Sequence, residues 1–384
     1  MIGKSNRKFI VLLAIIGFFL AILATVSPSF AGVTNLGNIG ADSENAITIN
    51  NNVPKSAVKP KNYAISPQYS KTKGFETKKN TIRTKGGNKN YTFKTEYFLP
   101  VSGKKVPNTG RYHEYWYNCQ SIVIEGKYMY ILTTHGYNVK KGFIVRYDMD
   151  MLNKYKLNKG KNLNRLRKLG ADLRDGENLT KTQQRIRKAI KIGPVFNTGH
   201  GQSLAYNKKT KSLWMWQDDK WLSPTLKLMK INMKTLKPSS MFRFSVSHNN
   251  KKINRVRNLV FDKNGDFYFH QLIPKSRQDR IFKGKFVNNK IEIKLLATVK
   301  NRPGWYAQAF SLNQVTNRLY MAFDGVFYSI PVAKLDNYTL KKKDFRYTIL
   351  NTKRETQGMC FDEQGNTYLL LIRGTEVLKS TNKD

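Results

Sequence analysis

Gly201-Gln202-Ser203-Leu204-Ala205-Tyr206, followed a turn later by Leu213-Trp214-Met215-Trp216, decides the fold because it recurs. The unit is a small polar opening that contains an amide, an alternating apolar run, a turn, and an aromatic run. It is already present as Cys119-Gln120-Ser121-Ile122-Val123-Ile124 with Tyr128-Met129-Tyr130-Ile131-Leu132. It returns as Arg257-Asn258-Leu259-Val260-Phe261-Asp262 with Phe267-Tyr268-Phe269, then as Ala307-Gln308-Ala309-Phe310-Ser311-Leu312 with Leu319-Tyr320-Met321-Ala322-Phe323. The last copy is Thr356-Gln357-Gly358-Met359-Cys360-Phe361-Asp362 with Thr367-Tyr368-Leu369-Leu370-Leu371. The amides advance by 82, 56, 50 and 49 residues. A period near fifty with strand-turn-strand content is that of a propeller blade, whose faces are buried by its neighbours. The expected fold is therefore all-β: a five-bladed β-propeller over residues 91–384. The first strand of each blade lines a central channel, with the amides facing it or at its mouth.

Outward from the repeats, the long first interval predicts a basic α-helical insertion in or after the first blade, about 153–193. There Leu163, Leu166, Leu169 and Leu173 have helical spacing, and a second segment, Gln183 to Ile190, stops at Gly193-Pro194. It reads as a cap on one rim or as a surface-contacting element. The alternating stretch Tyr91–Leu99 and the short run Glu376–Lys379 fit the N- and C-terminal strands that close a last blade. Residues 32–90 read as a basic polar linker, partly disordered, too poor in apolar residues to fold alone. Residues 1–31 read as a signal peptide: Lys4, Arg7 and Lys8, an apolar run from Phe9 to Val26, and Ser29-Phe30-Ala31 before Gly32. The rival is an uncleaved anchor, since the run is long enough to span. The expectation is a secreted protein, with retention on the cell wall as the alternative.

The net charge is +43, and removing the leader leaves +40, spread along the chain. Such a field concentrates anions. Outside a cell the partners it implies are an anionic cell-wall polymer such as teichoic acid, an acidic glycan, or an anionic membrane surface. Charge alone would admit nucleic acid, but no nucleic-acid motif accompanies it and the export signal argues against it. Nothing indicates self-association, so a monomer is expected. Cys119 and Cys360 fall in the first and last repeats. A bridge would clasp the ring, but their different offsets from the repeat amide need not bring the sulfurs together. Two separate buried thiols is the simpler reading.

The candidate ligand-binding set at the channel mouth is Gln120, Gln202, Asn258, Gln308 and Gln357, with His200, Trp305 and Tyr306 as nearby specificity groups. Repeated amides suit ligand hydroxyls. A glycoside hydrolase, the enzyme class to look for in a small propeller, needs two carboxylates at a defined separation. Asp218 and Asp324, four residues after the aromatics of repeats two and four, and Glu114 are the acids that could supply them. No acid holds a repeat-opening position, so no catalytic residue is assigned and a non-catalytic protein is favoured. His135, His200 and His270 lack metal-site spacing. Asp262-Lys263-Asn264-Gly265-Asp266 resembles the start of a calcium loop but shares its place with Asp362-Glu363-Gln364-Gly365-Asn366, a turn. No metal or cofactor is implied.

Two strings carry a resemblance: Gly199-His200-Gly201-Gln202-Ser203 before a Trp-bearing strand, and Gln357-Gly358-Met359-Cys360-Phe361-Asp362-Glu363-Gln364-Gly365-Asn366-Thr367-Tyr368. Over roughly residues 110–380 the chain resembles helveticin J and the large bacteriocins of lactic-acid bacteria similar to it. The resemblance implies a secreted antibacterial protein acting on related Gram-positive cells, with no catalytic residue set to carry over. The chain departs from that pattern in its long leader, basic linker and helical insertion, which leaves a cell-surface adhesin without killing activity as an alternative, beside a glycan-cleaving enzyme.

Overall fold

The computed structural model describes residues 45–49, 79–100, 118–135, 138–175, 177–218, 222–273, 276–288, 290–303, 307–372 and 374–384. The expected leader, most of the expected linker, Glu114, Trp305 and Tyr306 lie outside them. The chain divides between Thr34 and Asn35, and every described residue belongs to the second unit.

The first repeat and its continuation form a sheet of β4 (Asn118–Glu125), β5 (Tyr128–His135), β6 (Asn138–Asp148) and β7 (Ile190–Ile192), with β8 (Phe196–Asn197) also on β6. The second sheet is β9 (Ala205–Asn207), β10 (Ser212–Trp216), β11 (Thr225–Asn232) and β12 (Lys237–His248); β1 (Asn45–Ile49) and β13 (Lys251–Lys252) both pair with β12. The third is β14 (Val256–Phe261), β15 (Phe267–Ile273), β16 (Gln278–Val287) and β17 (Lys290–Val299). The last two repeats share one nine-stranded sheet. It runs β18 (Ala309–Asn313), β19 (Arg318–Phe323), β20 (Val326–Pro331), β21 (Arg346–Leu350), β2 (Thr81–Gly87), β3 (Thr92–Phe98), β24 (Glu376–Ser380), β23 (Thr367–Leu371), β22 (Thr356–Phe361).

The first strands of the repeats pack side by side: β4 on β9, β9 on β14, β14 on β18, β18 on β22, and β22 back on β4. The sheets radiate from this closed ring, and the architecture is a β-propeller. Side chains alternate between the two faces of each sheet, so along β4 Ile122 and Ile124 enter one inter-sheet core while Val123 enters the next. The aromatic runs fill the gaps. Trp216, for example, lies 5.3 Å from Phe269 and 6.4 Å from Phe267 of the following sheet.

Closure uses the N-terminal segment, as the alternation at 91–99 predicts: β3 pairs antiparallel with β24, Tyr97 opposite Val377. Regular structure begins earlier than the sequence suggests, however. β2 lies within the expected linker and is held on both sides, by β21 and by β3. Of its side chains only Ile82 is buried, so hydrophobic periodicity could not reveal it; backbone hydrogen bonds hold it. β1 likewise forms by pairing, parallel to β12.

The insertion lies between β6 and β7, within the first sheet. It comprises α1 (Met149–Lys154), a 3-10 turn (Gly160–Asn162), α2 (Arg165–Asp175) and α3 (Lys181–Arg187). Thr180 and Gln183 form a reciprocal capping box at the start of α3. Leu166 and Leu169 are buried in the same core as Tyr97, Leu370 and Val377, with Leu173 packed against it. The helices thus cap the seam between the first and last sheets. Buried Arg167 donates to the carbonyls of Leu99 and Thr375 and stands 4.3 Å from the centre of the Phe98 ring. Cys119 and Cys360 share this core as free, buried thiols. Burial pushes the Cys119 thiol up to about 11.

Candidate functional site

The propeller gathers the repeat amides. Gln120, Gln202, Asn258, Gln308 and Gln357 are between 0% and 5% exposed. Gln202 Nε2 donates to Gln308 Oε1 (2.6 Å) and to Gln357 Oε1 (3.1 Å). Its own Oε1 accepts from the Arg257 guanidinium. Gln308 Nε2 points to both oxygens of Asp324 (3.4 Å), and Gln357 Nε2 donates to Glu355 (2.9 Å). The chain of donors therefore runs one way, from a cation through three amides to two carboxylates. Asn258 donates to the Gln202 and Gln308 carbonyls, and its Oδ1 meets His270 Nε2 at 2.8 Å. In a poorly solvated interior such a directional chain reinforces itself.

Four of the five amides thus bond chiefly to protein groups, so they form a polar plug rather than an open ring of hydrogen-bonding groups. The fifth differs. Gln120 is fully buried, and neither its Oε1 nor its Nε2 has a partner among the described residues. Beneath the plug, the inner strands enclose a channel cavity of about 160 Å³. It is bounded at the plug end by Gln202, Gln308 and Gln357 and at the far end by Glu125, Lys208, Asp362 and Glu363. There Lys208 and Glu363 lie 3.7 Å apart, and burial raises the Glu125 carboxyl above its ordinary range, with Glu363 adding to the shift.

His200 sits beside the plug on a loop shaped by its glycines. Gly199 and Gly201 adopt φ of +63° and +83°, and the Asp218 carboxylate fills the space a Gly199 side chain would need. Asp218 Oδ1 accepts the backbone N–H of His200 (2.6 Å) and of Gly201 (3.3 Å). Burial pushes the Asp218 carboxyl up, against Arg257 and these N–H groups. Burial, aided by the Arg257 charge, pulls the His200 imidazole down to about 4, so it is neutral at pH 7. Asp324 also holds a repeat opening, but that of the next repeat: its Oδ1 accepts the Thr356 N–H at 3.0 Å. The two acids considered as a catalytic pair thus each bind backbone, Asp218 within its own repeat and Asp324 across to the following one.

His270 is 3.5 Å from Asp279, an electrostatic contact rather than a well-formed hydrogen bond. Asp279 pairs with Arg302 at 2.9 Å. Burial lowers the His270 pKa despite Asp279. His135 ends β5. Among the described residues no three His, Cys, Asp or Glu groups gather to hold an ion. The Asp262 and Asp362 loops are turns in which Oδ1 accepts the N–H groups two and four residues on. Sequence reasoning missed Arg257 and Glu355. Each adjoins or nearly adjoins a repeat amide, but nothing in a linear pattern marks which neighbour turns inward.

No family model matches the chain, and no curated protein matches its sequence. Solved structures similar in fold include a gluconolactonase from Xanthomonas campestris, at 7% identity and TM-score 0.36, covering 81% of this chain and 97% of that one. Another is a glucose dehydrogenase at 11% and 0.37, covering 77% and 93%. A third is an exo-β-1,3-galactanase from Clostridium thermocellum at 9% and 0.40, covering 73% and 61%. At these values the likenesses carry no argument about activity, ligand or number of blades.

Proposed function

We propose that this chain is a secreted, five-bladed β-propeller that binds anionic polymer of the Gram-positive envelope without cleaving it, in the manner of the helveticin J-like bacteriocins. The closed ring of five inner strands, one from each repeat, supports the count. The observation that carries the binding reading is where the few acids go. Asp279 and Glu376 are fully buried against Arg302 and Arg354. Asp262, Asp266 and Asp336 surround Lys283. Asp148 caps α1 and meets Lys127. Asp218 and Asp324 hold backbone. The insertion, by contrast, exposes Lys154, Lys156, Lys159, Lys161, Arg165, Lys181, Arg185 and Lys188, with Lys168 paired to Asp172, against two exposed acids among its described residues, Asp150 and Glu177. Acids spent on the interior leave the surface cations to a polyanion. The plug supports a non-catalytic role: its amides cannot transfer protons usefully, and Asp218 and Asp324 are engaged elsewhere.

The test incubates the purified protein with walls and with live indicator cells, and follows retention, released sugar and viability together. Retention should fall steeply between 50 and 500 mM salt and when teichoic acid is stripped. Cell death without fragment release supports the bacteriocin reading, and retention without death an adhesin. Release of glycan fragments that Asp218→Asn or Asp324→Asn abolishes would overturn the non-catalytic reading.

A further inference from the structure

A second cavity lies away from the plug, on the rim between the second and third sheets. It holds about 520 Å³, within the range of small-molecule sites. Its walls are aromatic. Trp214 of β10, Phe242 of β12 and Phe286 of β16 meet with ring centres 5.8, 5.3 and 5.4 Å apart. Trp214 has its indole N–H bonded to Ser212 at 2.9 Å, so it offers the cavity only apolar surface. Phe242 and Phe286 are partly exposed. Two lysines stand beside these rings: Lys209 from the β9–β10 turn and Lys230 from β11. The Lys230 ammonium is 5.9 Å from the centre of the Trp214 ring. The one acid of the lining, Asp266, is taken by Lys283 at 3.4 Å. Gly265 keeps the lip open: a side chain there would sit 3.0 Å from Lys209 Cδ, at a φ of +84° that disfavours one.

We propose that this groove is the subsite for a single negatively charged saccharide unit. The apolar face of a sugar ring lies against Phe242 and Phe286, and Lys209 and Lys230 take its carboxylate or phosphate. The inference rests on the polyanion-binding reading and narrows it. A diffuse cationic surface attracts any polyanion, but a concave aromatic wall beside lysines that form no ion pair among the described residues selects one that presents a flat apolar face beside its charge. The charge could come from a uronic acid or from a sugar phosphate, and the two arms of the experiment separate these.

Binding of the mature chain to a hexuronic acid oligomer and to a glycosylated teichoic acid is measured by calorimetry at fixed salt. Three variants are compared. Lys209→Gln with Lys230→Gln removes two charges from the groove. Lys341→Gln with Lys343→Gln removes two exposed charges from the β20–β21 connection. Phe286→Leu leaves charge unchanged. The groove pair should lose about tenfold in affinity for at least one ligand, the control pair less than twofold, and Phe286→Leu severalfold, all with unchanged thermal midpoints except Phe286→Leu. Equal losses in the two lysine pairs would overturn the subsite while leaving polyanion binding intact. Tighter, groove-dependent binding of single-stranded oligonucleotide would overturn the saccharide assignment. No binding of either ligand by the unaltered chain would remove the parent reading as well.

Discussion

Exchanging two residues at the same position of the repeat, Gln202→Met and Gln120→Met, should move stability in opposite directions. Methionine keeps the volume and removes the amide. At Gln202 it severs three hydrogen bonds, strands Gln308 Oε1 and Gln357 Oε1 in the interior and takes one acceptor from the half-buried Arg257 guanidinium. A neutral bond contributes about 1 kcal/mol net and one to a charged group about 1.5–3 kcal/mol, so the loss should be about 4 kcal/mol. For a body of this size that lowers the thermal midpoint by roughly 8 °C. Gln120 is fully buried with both polar atoms unpartnered among the described residues. Methionine there relieves a desolvated amide, so stability should be unchanged or rise by about 1–2 kcal/mol. Urea unfolding followed by tryptophan fluorescence, with equal slopes in the transition, reads both variants. If Gln120→Met loses as much as Gln202→Met, the amide finds a partner in solution and its reading as an unpaired group fails. If Gln202→Met is neutral, the directional plug contributes nothing and the channel is merely wet.

Three further outcomes follow from the geometry. Arg354→Met removes the counter-charge of the fully buried Glu376, which Arg354 meets at 2.8 Å, and leaves the carboxylate only its neutral donors Asn80 and Thr95; it should cost about 3 kcal/mol, read by urea unfolding, whereas Arg346→Met beside Asp384 should cost less than about 1 kcal/mol. The folded state holds His200 neutral down to about pH 4 while the unfolded chain protonates it near 6.5. Between those values the unfolded state binds the extra proton, so this part of the stability is complete above pH 6.5 and is lost as pH falls toward 4; His200→Gln should flatten that stretch of a stability-versus-pH curve, and an unchanged curve would place the imidazole in water. Gly201→Ala sets a methyl 2.3 Å from Leu132 Cδ2 at a φ of +83° and should cost about 2 kcal/mol or more, measured by thermal unfolding.

The repeats made the ring legible because blade-forming strands are local. An amide, an alternating run, a turn and an aromatic run lie within some fifteen residues, and turn chemistry at Asp262 and Asp362 punctuates them. The insertion was legible for the same reason, since Leu166, Leu169 and Leu173 form one face of consecutive helical turns, although Leu163, which shares their spacing, lies in the turn before the helix. That the repeat amides point inward was also accessible, because the first strand of a blade faces the axis. What the amides do there was not. Their bonding to one another joins residues 106 and 155 positions apart, and only the closed ring brings those positions together. The same holds for β2, whose polar sequence shows no strand until β21 and β3 flank it, and for Asp218 and Asp324, which look like spare acids until the loops they pin fold over them. The groove of Trp214, Phe242 and Phe286 draws on three strands of two sheets, so tertiary packing alone creates it. Sequence determined many of the elements and the charge, because periodicity and composition are properties of neighbours along the chain; tertiary structure decided which polar groups satisfy each other and which stay exposed, because pairings such as those of Gln202 with Gln308 and Gln357 cross between blades.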